Sequence, residues 1–470
     1  MVYNCIYMAR SLNTRSAVTT LFICLIATAG LFFTFAVPPL QKPDEEAHLI
    51  RTLSIAGGHI FCTGTSTNSI PLEQGIVTMM KEVKALKLAN HAERKFDLAL
   101  YNKSFFATKS DLHTQSYIVP AIYCGFPVVP YMPHILGISI GRLLHLNAYL
   151  VFFMGRFSML LIALLWMRWI YKRTPEPFRY GILFLFSLPM FLHQLSSYSY
   201  DPVHMLLAAS LFSVLISFKQ NQNLAIMWII YVGLLLSKTG GYELLLPLYF
   251  LIPRYRIASG MKKYVATTVI FFATLIVVFG VFKLIELQAI AAGATLGKGV
   301  NPVSQIMYIL TNPAHYVLML IKSTFHFGIF YLQSLIGILG WLEYGFPHII
   351  YFIYVISFIY IVLRSYIPKE SLVSRKKLIA LGLILIASYI YIVTIFYLLW
   401  NPVGAAITDG IQGRYFLVFI PFIYLFAIQC RQRWADSLKL KFDMPGWVSG
   451  GIIIAVAVTC MYSVLYRYYF

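Results

Sequence analysis

The sequence predicts an all-α integral membrane protein, about 11 transmembrane helices in a single polytopic domain spanning residues 1–470. Three observations predict it. Hydrophobic residues make up 59% of the chain and charged residues 11%, against roughly 45–50% and 25% in a soluble domain. Apolar runs of about 20 residues recur, enough to cross a hydrocarbon core of about 30 Å. Lys and Arg gather on alternate connections, as cytoplasmic loops require. A mean hydropathy of +0.75 agrees, and together these exclude a soluble enzyme, a secreted disulfide scaffold and a disordered chain.

The net charge is +20, from 37 Lys and Arg against 17 Asp and Glu. Nucleic acid is not the expected partner, because the basic residues are scattered over many short loops and form no continuous face. The expected surroundings are a lipid bilayer. Six cysteines show no metal-ligand spacing. The first apolar stretch lacks a small-residue cleavage site and is expected to stay as the first helix.

Taken in order, Arg10 and Arg15 precede span one, about Ala17 to Val37, so the N-terminus is placed in the cytoplasm. Pro38 and Pro39 end that span. An extracytoplasmic loop subdomain, residues 38–147, follows, with a Lys/Glu-rich piece from Glu73 to Lys109 expected as an exposed helix. Span two covers about Ala148 to Trp169 and returns to Lys172, Arg173 and Arg179. Span three ends near His193 and leads to Ser197–Pro202 outside; span four returns to Lys219. Spans five and six form a short pair around Ser237–Glu243, ending at Arg254, Arg256, Lys262 and Lys263. Span seven goes out near Ile285. The stretch from Gln288 to Tyr344 stays outside, with a re-entrant or surface helix around Tyr316–Gly340. Span eight returns to Arg364 and Lys369, span nine goes out to Trp400, span ten follows Arg414 and returns to Arg431, and span eleven takes the C-terminus outside. Beyond span two the outer segments hold only Lys238, Lys283, Lys298, Lys322, Arg414 and Arg467, which supports this orientation.

Once the chain is threaded, its unusual polar residues fall at one face. Asp44, Glu45, His48 and Arg51 follow span one, Asp201 follows span three, and Lys238 and Glu243 lie between spans five and six. Glu343 precedes span eight, and Asp409 and Arg414 precede span ten. Ionisable groups at membrane depth cost roughly 2.5–3.5 kcal/mol each and need a partner or a use. A shared polar cavity is therefore expected. Between Pro43, suited to a first helical turn, and Gly57-Gly58, suited to its end, residues 44–56 predict an amphipathic helix lying along the outer membrane surface. Asp44, Glu45, His48, Arg51 and Thr52 fall on its polar side, and Leu49, Ile50, Leu53 and Ala56 on the other; Glu46 falls in the apolar arc.

The segment Val37-Pro-Pro-Leu-Gln-Lys-Pro-Asp-Glu-Glu-Ala-His48 resembles the signature of a bacterial polytopic membrane family catalogued as a domain of unknown function. Four later segments are similar to that family's other recurring pieces, in the same order: Ser199-Tyr-Asp201, Lys238–Pro247, Gly337–Pro347 and Gly410-Ile-Gln-Gly-Arg-Tyr-Phe416. The chain departs from the pattern at Thr239-Gly240-Gly241, where prolines are expected after the lysine, and in the Lys/Glu-rich segment after Ile70. The family in turn resembles the GT-C-type membrane glycosyltransferases. That likeness implies a GT-C-like fold and inverting sugar transfer on the extracytoplasmic face of the bacterial inner membrane. It further implies a polyprenyl-phosphate-linked donor and a glycan acceptor. Likeness in size and architecture to phage-type serotype-modifying enzymes suggests glucose added to the O-antigen of lipopolysaccharide.

The residue chemistry fits that role. A sugar hydroxyl attacking an anomeric carbon needs a carboxylate base within about 3 Å; Asp44 is the first candidate and Glu45 the second. A departing phosphate needs cations: Arg414 with its two-pronged match, Lys238, and His48 and Arg51 beside the carboxylate. Tyr198, Trp341 and Tyr415 suit stacking on a sugar, with Asp201, Glu343 and Gln412 completing the substrate site. No cofactor and no metal are expected, since a monophosphate donor carries less charge than a pyrophosphate. The competing reading is a transporter or flippase of a lipid-linked sugar. A disulfide between Cys62 and Cys124, the two cysteines of the long outer loop, is the last expectation; two separate buried thiols are its alternative.

Overall fold

Paired prolines and a run of charges interrupt the hydrophobic sequence after the first helix, and the architecture divides there. The computed structural model describes residues 23–60, 67–89, 91–99, 113–120, 123, 125–218, 223–238, 240, 242–291, 297–436 and 445–470. Helix α1 (Ile23–Ala36) stops before Pro38-Pro39. Helix α2 (Glu45–Ala56), strand β1 (Thr67–Glu73), helix α3 (Gln74–Ala85), strand β2 (Thr114–Pro120) and helix α4 (Met132–Leu143) then build a cap. The bundle continues through α5 (Ala148–Arg173), α6 (Glu176–Ser187), α7 (Pro189–Leu195), α8 (Asp201–Ile216), α9 (Leu224–Ser237) and α10 (Met261–Ala291). It is completed by α11 (Pro302–Thr311), α12 (Pro313–Gly337), α13 (His348–Arg364), α14 (Arg375–Leu399), α15 (Ile420–Trp434) and α16 (Gly446–Tyr468).

Among the described residues, five helices are long and apolar enough to cross a membrane: Ala148–Arg173, Met261–Val281, Arg375–Leu399, Gly413–Trp434 and Val448–Tyr468. They coincide with expected spans two, seven, nine, ten and eleven. The apolar helices Ile23–Ala36, Asp201–Ile216, Leu224–Ser237, Tyr242–Leu251 and His348–Arg364 are shorter. Span three is two helices, α6 and α7, because Pro189 pushes Leu188 out of the helical region (ψ 127°). Span six is a 3₁₀ segment, Tyr242–Leu251, interrupted by Pro247. The expected surface helix around Tyr316–Gly340 is α12, whose bounds are Pro313–Gly337.

The cap corrects two expectations. The Lys/Glu-rich piece is not one exposed helix. β1 and β2 pair antiparallel from Thr67↔Pro120 to Glu73↔Thr114, and α3 leaves β1 directly with Ile76, Val77, Met80 and Val83 buried. Nor does α2 lie on a membrane surface. Its apolar residues Leu49, Ile50 and Leu53 join Ile70, Leu72 and Ile76 of the cap and Phe152 of α5 in one core. Its polar residues Glu45, His48, Arg51 and Thr52 are buried as well. Each large apolar side chain buried in this way contributes roughly 1.5–3 kcal/mol. Glu46, odd in the apolar arc, ion-pairs with Lys84 of α3 at 3.0 Å, and Arg142 of α4 grips Glu73 at the end of β1 at 2.7 Å.

The end of α16 clasps this cap. Arg467 donates to the carbonyls of Leu88 (2.7 Å) and Arg94 (2.9 Å) and ion-pairs with Glu343 at 2.9 Å. The amide of Phe96 donates to Tyr468 O at 2.7 Å, and the Tyr469 hydroxyl reaches Ala36 O at 2.9 Å.

Candidate functional site

The segment from Val37 to Glu45 is held by two buried cations. Arg156, fully buried on α5, donates to Thr34 O (3.1 Å), Val37 O (2.7 Å) and Pro38 O (3.1 Å), carbonyls at and just beyond the end of α1. The same guanidinium grips both oxygens of Glu45, at 2.8 and 2.5 Å. Lys42 turns the other way and donates to His193 O at 3.1 Å and to Ser196 O and Oγ, at the end of α7. Burial, and then the charge of Arg156, holds the Lys42 ammonium well below its ordinary pKa.

Between these anchors Asp44 takes a left-handed conformation (φ 59°) and opens α2. Aspartate is among the few non-glycine residues that adopt this region readily. The backbone thus presents its carboxylate to Arg414, which joins it, through Asp201, to two further segments. Arg414 Nη2 lies 3.0 Å from Asp44 Oδ2, and Arg414 Nε lies 3.9 Å from Asp201 Oδ2. Lys238 Nζ lies 2.6 Å from Asp201 Oδ1. Two acids and two cations, separated by up to 370 positions in the chain, form one charge-balanced cluster. Their openness is unequal. The side chain of Asp44 is 54% exposed, whereas those of Asp201, Lys238 and Arg414 are 9%, 12% and 6% exposed.

Three tyrosines surround the Lys238 ammonium: its nitrogen lies 4.6 Å from the ring centre of Tyr200, 4.7 Å from Tyr415 and 5.6 Å from Tyr242. Such cation–π contacts strengthen as the charge loses water. Burial lowers the Lys238 pKa, against the opposing pull of Asp201. His48 stands behind Tyr200, ring centres 4.8 Å apart, and its Nδ1 meets the Tyr131 hydroxyl at 2.6 Å. Burial drives its pKa down to about 4, so the imidazole is neutral at pH 7.

Arg414 owes its place to Gly413. A Cβ there would lie 2.2 Å from Tyr331 O and 2.1 Å from Leu335 N of α12, so only glycine permits the approach. The Gly413 amide is fixed by Ser334 Oγ at 2.8 Å. Beside it, Gln412 Oε1 and Arg414 Nε are buried without a hydrogen-bond partner among the described residues. Buried polar atoms are nearly always paired, so each of these two atoms, on either side of Gly413, has room for a polar ligand.

Asp44, Asp201, Lys238, Arg414 and Tyr415 therefore meet, with His48 and Gln412 adjoining. Other expected site residues lie elsewhere. Glu45 is fully buried and spent on Arg156, which leaves it no face for a substrate. Arg51 is a structural clamp, donating to Phe126 O at 3.1 Å and Ile60 O at 3.0 Å. Tyr198 is core: its hydroxyl donates to Phe152 O at 2.8 Å, packed so closely on Gly155 that a Cβ there would lie 1.9 Å away. Glu343 belongs to Arg467 and the cap clasp. Trp341 donates to Leu40 O at 3.3 Å and so props the Asp44 segment rather than facing the cluster. Cys62 and Cys124 lie outside the described residues. The residues that sequence reasoning missed are Arg156, Lys42, Tyr200 and Tyr242. An arginine within an apolar span was the available signal for the first.

No curated protein and no solved structure matches the chain. Its own pattern is nonetheless that of a family: residues 27–423, which include all four charged members of the cluster, match the model described as "Predicted membrane protein (DUF2142)", and the chain belongs to that membrane-protein family.

Proposed function

We propose that this protein is a membrane glycosyltransferase. It moves a sugar from a polyprenyl-phosphate donor to a cell-surface glycan, with inversion at the anomeric carbon. The observation that carries the reading is the cluster itself: an open carboxylate, Asp44, against two nearly buried cations, Arg414 and Lys238. An acceptor hydroxyl gives its proton to Asp44 as its oxygen bonds to the anomeric carbon. The bond from that carbon to the donor phosphate breaks, and the negative charge arriving on the phosphate is met by Arg414 and Lys238. Asp201 holds both cations in place. Asp44 is paired with Arg414, so a donor phosphate competing for that guanidinium releases the base at the moment it is needed. The unpartnered Gln412 Oε1 accepts from a hydroxyl of the donor sugar, the Arg414 Nε–H donates to the donor, and the tyrosines around Lys238 offer a stacking surface for the sugar.

The same proposal holds that the fold is GT-C-like with about eleven spans. It places the protein in the bacterial inner membrane, with the N-terminus cytoplasmic and the cluster on the extracytoplasmic side. Glucose and the O-antigen of lipopolysaccharide are its first donor sugar and acceptor. The test is reconstituted protein supplied with polyprenyl-phosphate glucose and an acceptor glycan, read as a new glycosidic linkage. Movement of the lipid-linked sugar across the bilayer without a new linkage would establish a transporter or flippase instead.

A further inference from the structure

A cavity lined by two arginines lies at the far end of the helices from Asp44. Helix α8 begins at Asp201 in the cluster and runs 16 residues to Ile216, roughly 24 Å of rise. There a cavity of about 510 Å³ opens between the ends of α5 and α8 and the short helical turn Arg254–Ile257. Two arginines line it. Arg173 is held through one terminal nitrogen by Asn223 Oδ1, while its Nε is buried with no partner among the described residues. Arg256 is fixed at the rim by donating to Phe218 O at 2.9 Å. The rest of the lining is Pro175, Ile216, Ser217, Phe218 and Tyr255, with no carboxylate among the described residues.

Two guanidinium groups facing one cavity repel each other unless an anion lies between them, and each offers a fork that matches phosphate oxygens. The apolar wall beside them, and Tyr255 and Trp169, 67% and 38% exposed at this level, are the surroundings of a membrane–water interface. We propose that this cavity binds the phosphate of an anionic phospholipid. The headgroup lies between Arg173 and Arg256, and the glycerol and first acyl carbons lie against Ile216, Phe218 and Tyr255. The proposal is independent of the chemistry at the Asp44 cluster. Basic pockets between membrane helices recognise lipid phosphates in this way.

The experiment is native mass spectrometry of the full chain in detergent with added phosphatidylglycerol or phosphatidylcholine, each with and without inorganic phosphate as competitor. The expected result is retained phosphatidylglycerol in preference to phosphatidylcholine. Arg173→Gln and Arg256→Gln each reduce that preference about fivefold, and Lys262→Gln leaves it unchanged. Ser217→Trp fills the cavity while keeping both charges and abolishes the preference, which separates loss of the site from loss of surface charge. Unfolding temperature in phosphatidylcholine alone identifies any variant that fails to fold. Equal retention of the two lipids by the wild type, or unchanged preference in folded Arg173→Gln and Ser217→Trp, overturns the proposal. Complete displacement by inorganic phosphate also overturns it, in favour of a free-phosphate site.

Discussion

Asp44 and Glu45 are neighbours of the same charge, yet their surroundings divide their tasks. Asp44→Asn keeps the shape and removes the base, so glycosyl transfer is expected to fall roughly 10²–10⁴-fold while the unfolding temperature holds. Glu45→Gln does the reverse. It strands the buried Arg156 charge, a loss of about 3–5 kcal/mol, visible as a lower unfolding temperature in detergent. Normal transfer by Asp44→Asn would remove it from the base role. His48 adds a pH test. Its ordinary pKa is about 6.5, and burial lowers it to about 4 in the fold. The unfolded chain therefore takes up the proton first. The stability owed to neutral His48 is complete above pH 6.5 and declines as pH falls toward about 4. His48→Gln is expected to flatten that part of the stability–pH curve, and an unchanged slope would refute the assignment. Residue chemistry alone picked out Asp44, Asp201, Lys238 and Arg414. It could not divide Asp44 from Glu45, because the difference lies in Arg156, more than a hundred positions away in a stretch whose hydropathy marked it only as a span.

At the scale of elements, the long helices were legible because a run of about twenty apolar residues is long enough to cross a bilayer and too apolar to face water. Span three reads as one span in the sequence, and the break at Pro189 that divides it into α6 and α7 comes only with the structure. The β1–β2 pairing was not legible either, since residues 74–113, α3 among them, separate its strands and no short turn joins them. Without that layer, the apolar side of α2 had no visible cover, and a membrane surface was the natural place for it. Element packing also explains why Gly413 and Arg467 matter without touching the cluster. Gly413→Ala would place a methyl against Tyr331 O, forcing the Gly413–Phe419 segment off α12 and carrying Arg414 with it. Transfer is expected to fall at least about tenfold, within the cost known for small misplacements of a catalytic group, and a wild-type rate would show that α12 yields instead. Arg467→Ala removes the bonds to Leu88, His91 and Arg94. Faster amide exchange confined to residues 88–96 is the expected signature of a loosened clasp.

The whole molecule is polarised along its helices. One end gathers the paired acids and cations of the cluster beneath the cap; the other carries Arg173, Arg254, Arg256, Lys262 and Lys263 with few acids nearby. Positive ends stay in the cytoplasm because moving Lys and Arg across the bilayer during insertion is disfavoured. A long polar loop escapes that rule, which is how a cap containing Lys81, Lys84, Lys87 and Arg94 can sit on the opposite side. The proposed function requires the same sense: a polyprenyl chain lies in the membrane with its phosphate at the surface, so under that proposal the base faces the compartment that holds the acceptor glycan. The prediction is an orientation. In a cysteine-free background, a cysteine replacing Gly58, an open turn of the cap (φ 85°, no neighbour within 4 Å), should react with a membrane-impermeant thiol reagent on spheroplasts. One replacing Lys262 should react only after the membrane is opened. The reverse pattern would turn the cluster toward the cytoplasm. The acceptor would then have to be a cytoplasmic molecule rather than a cell-surface glycan, even if Asp44 kept its role.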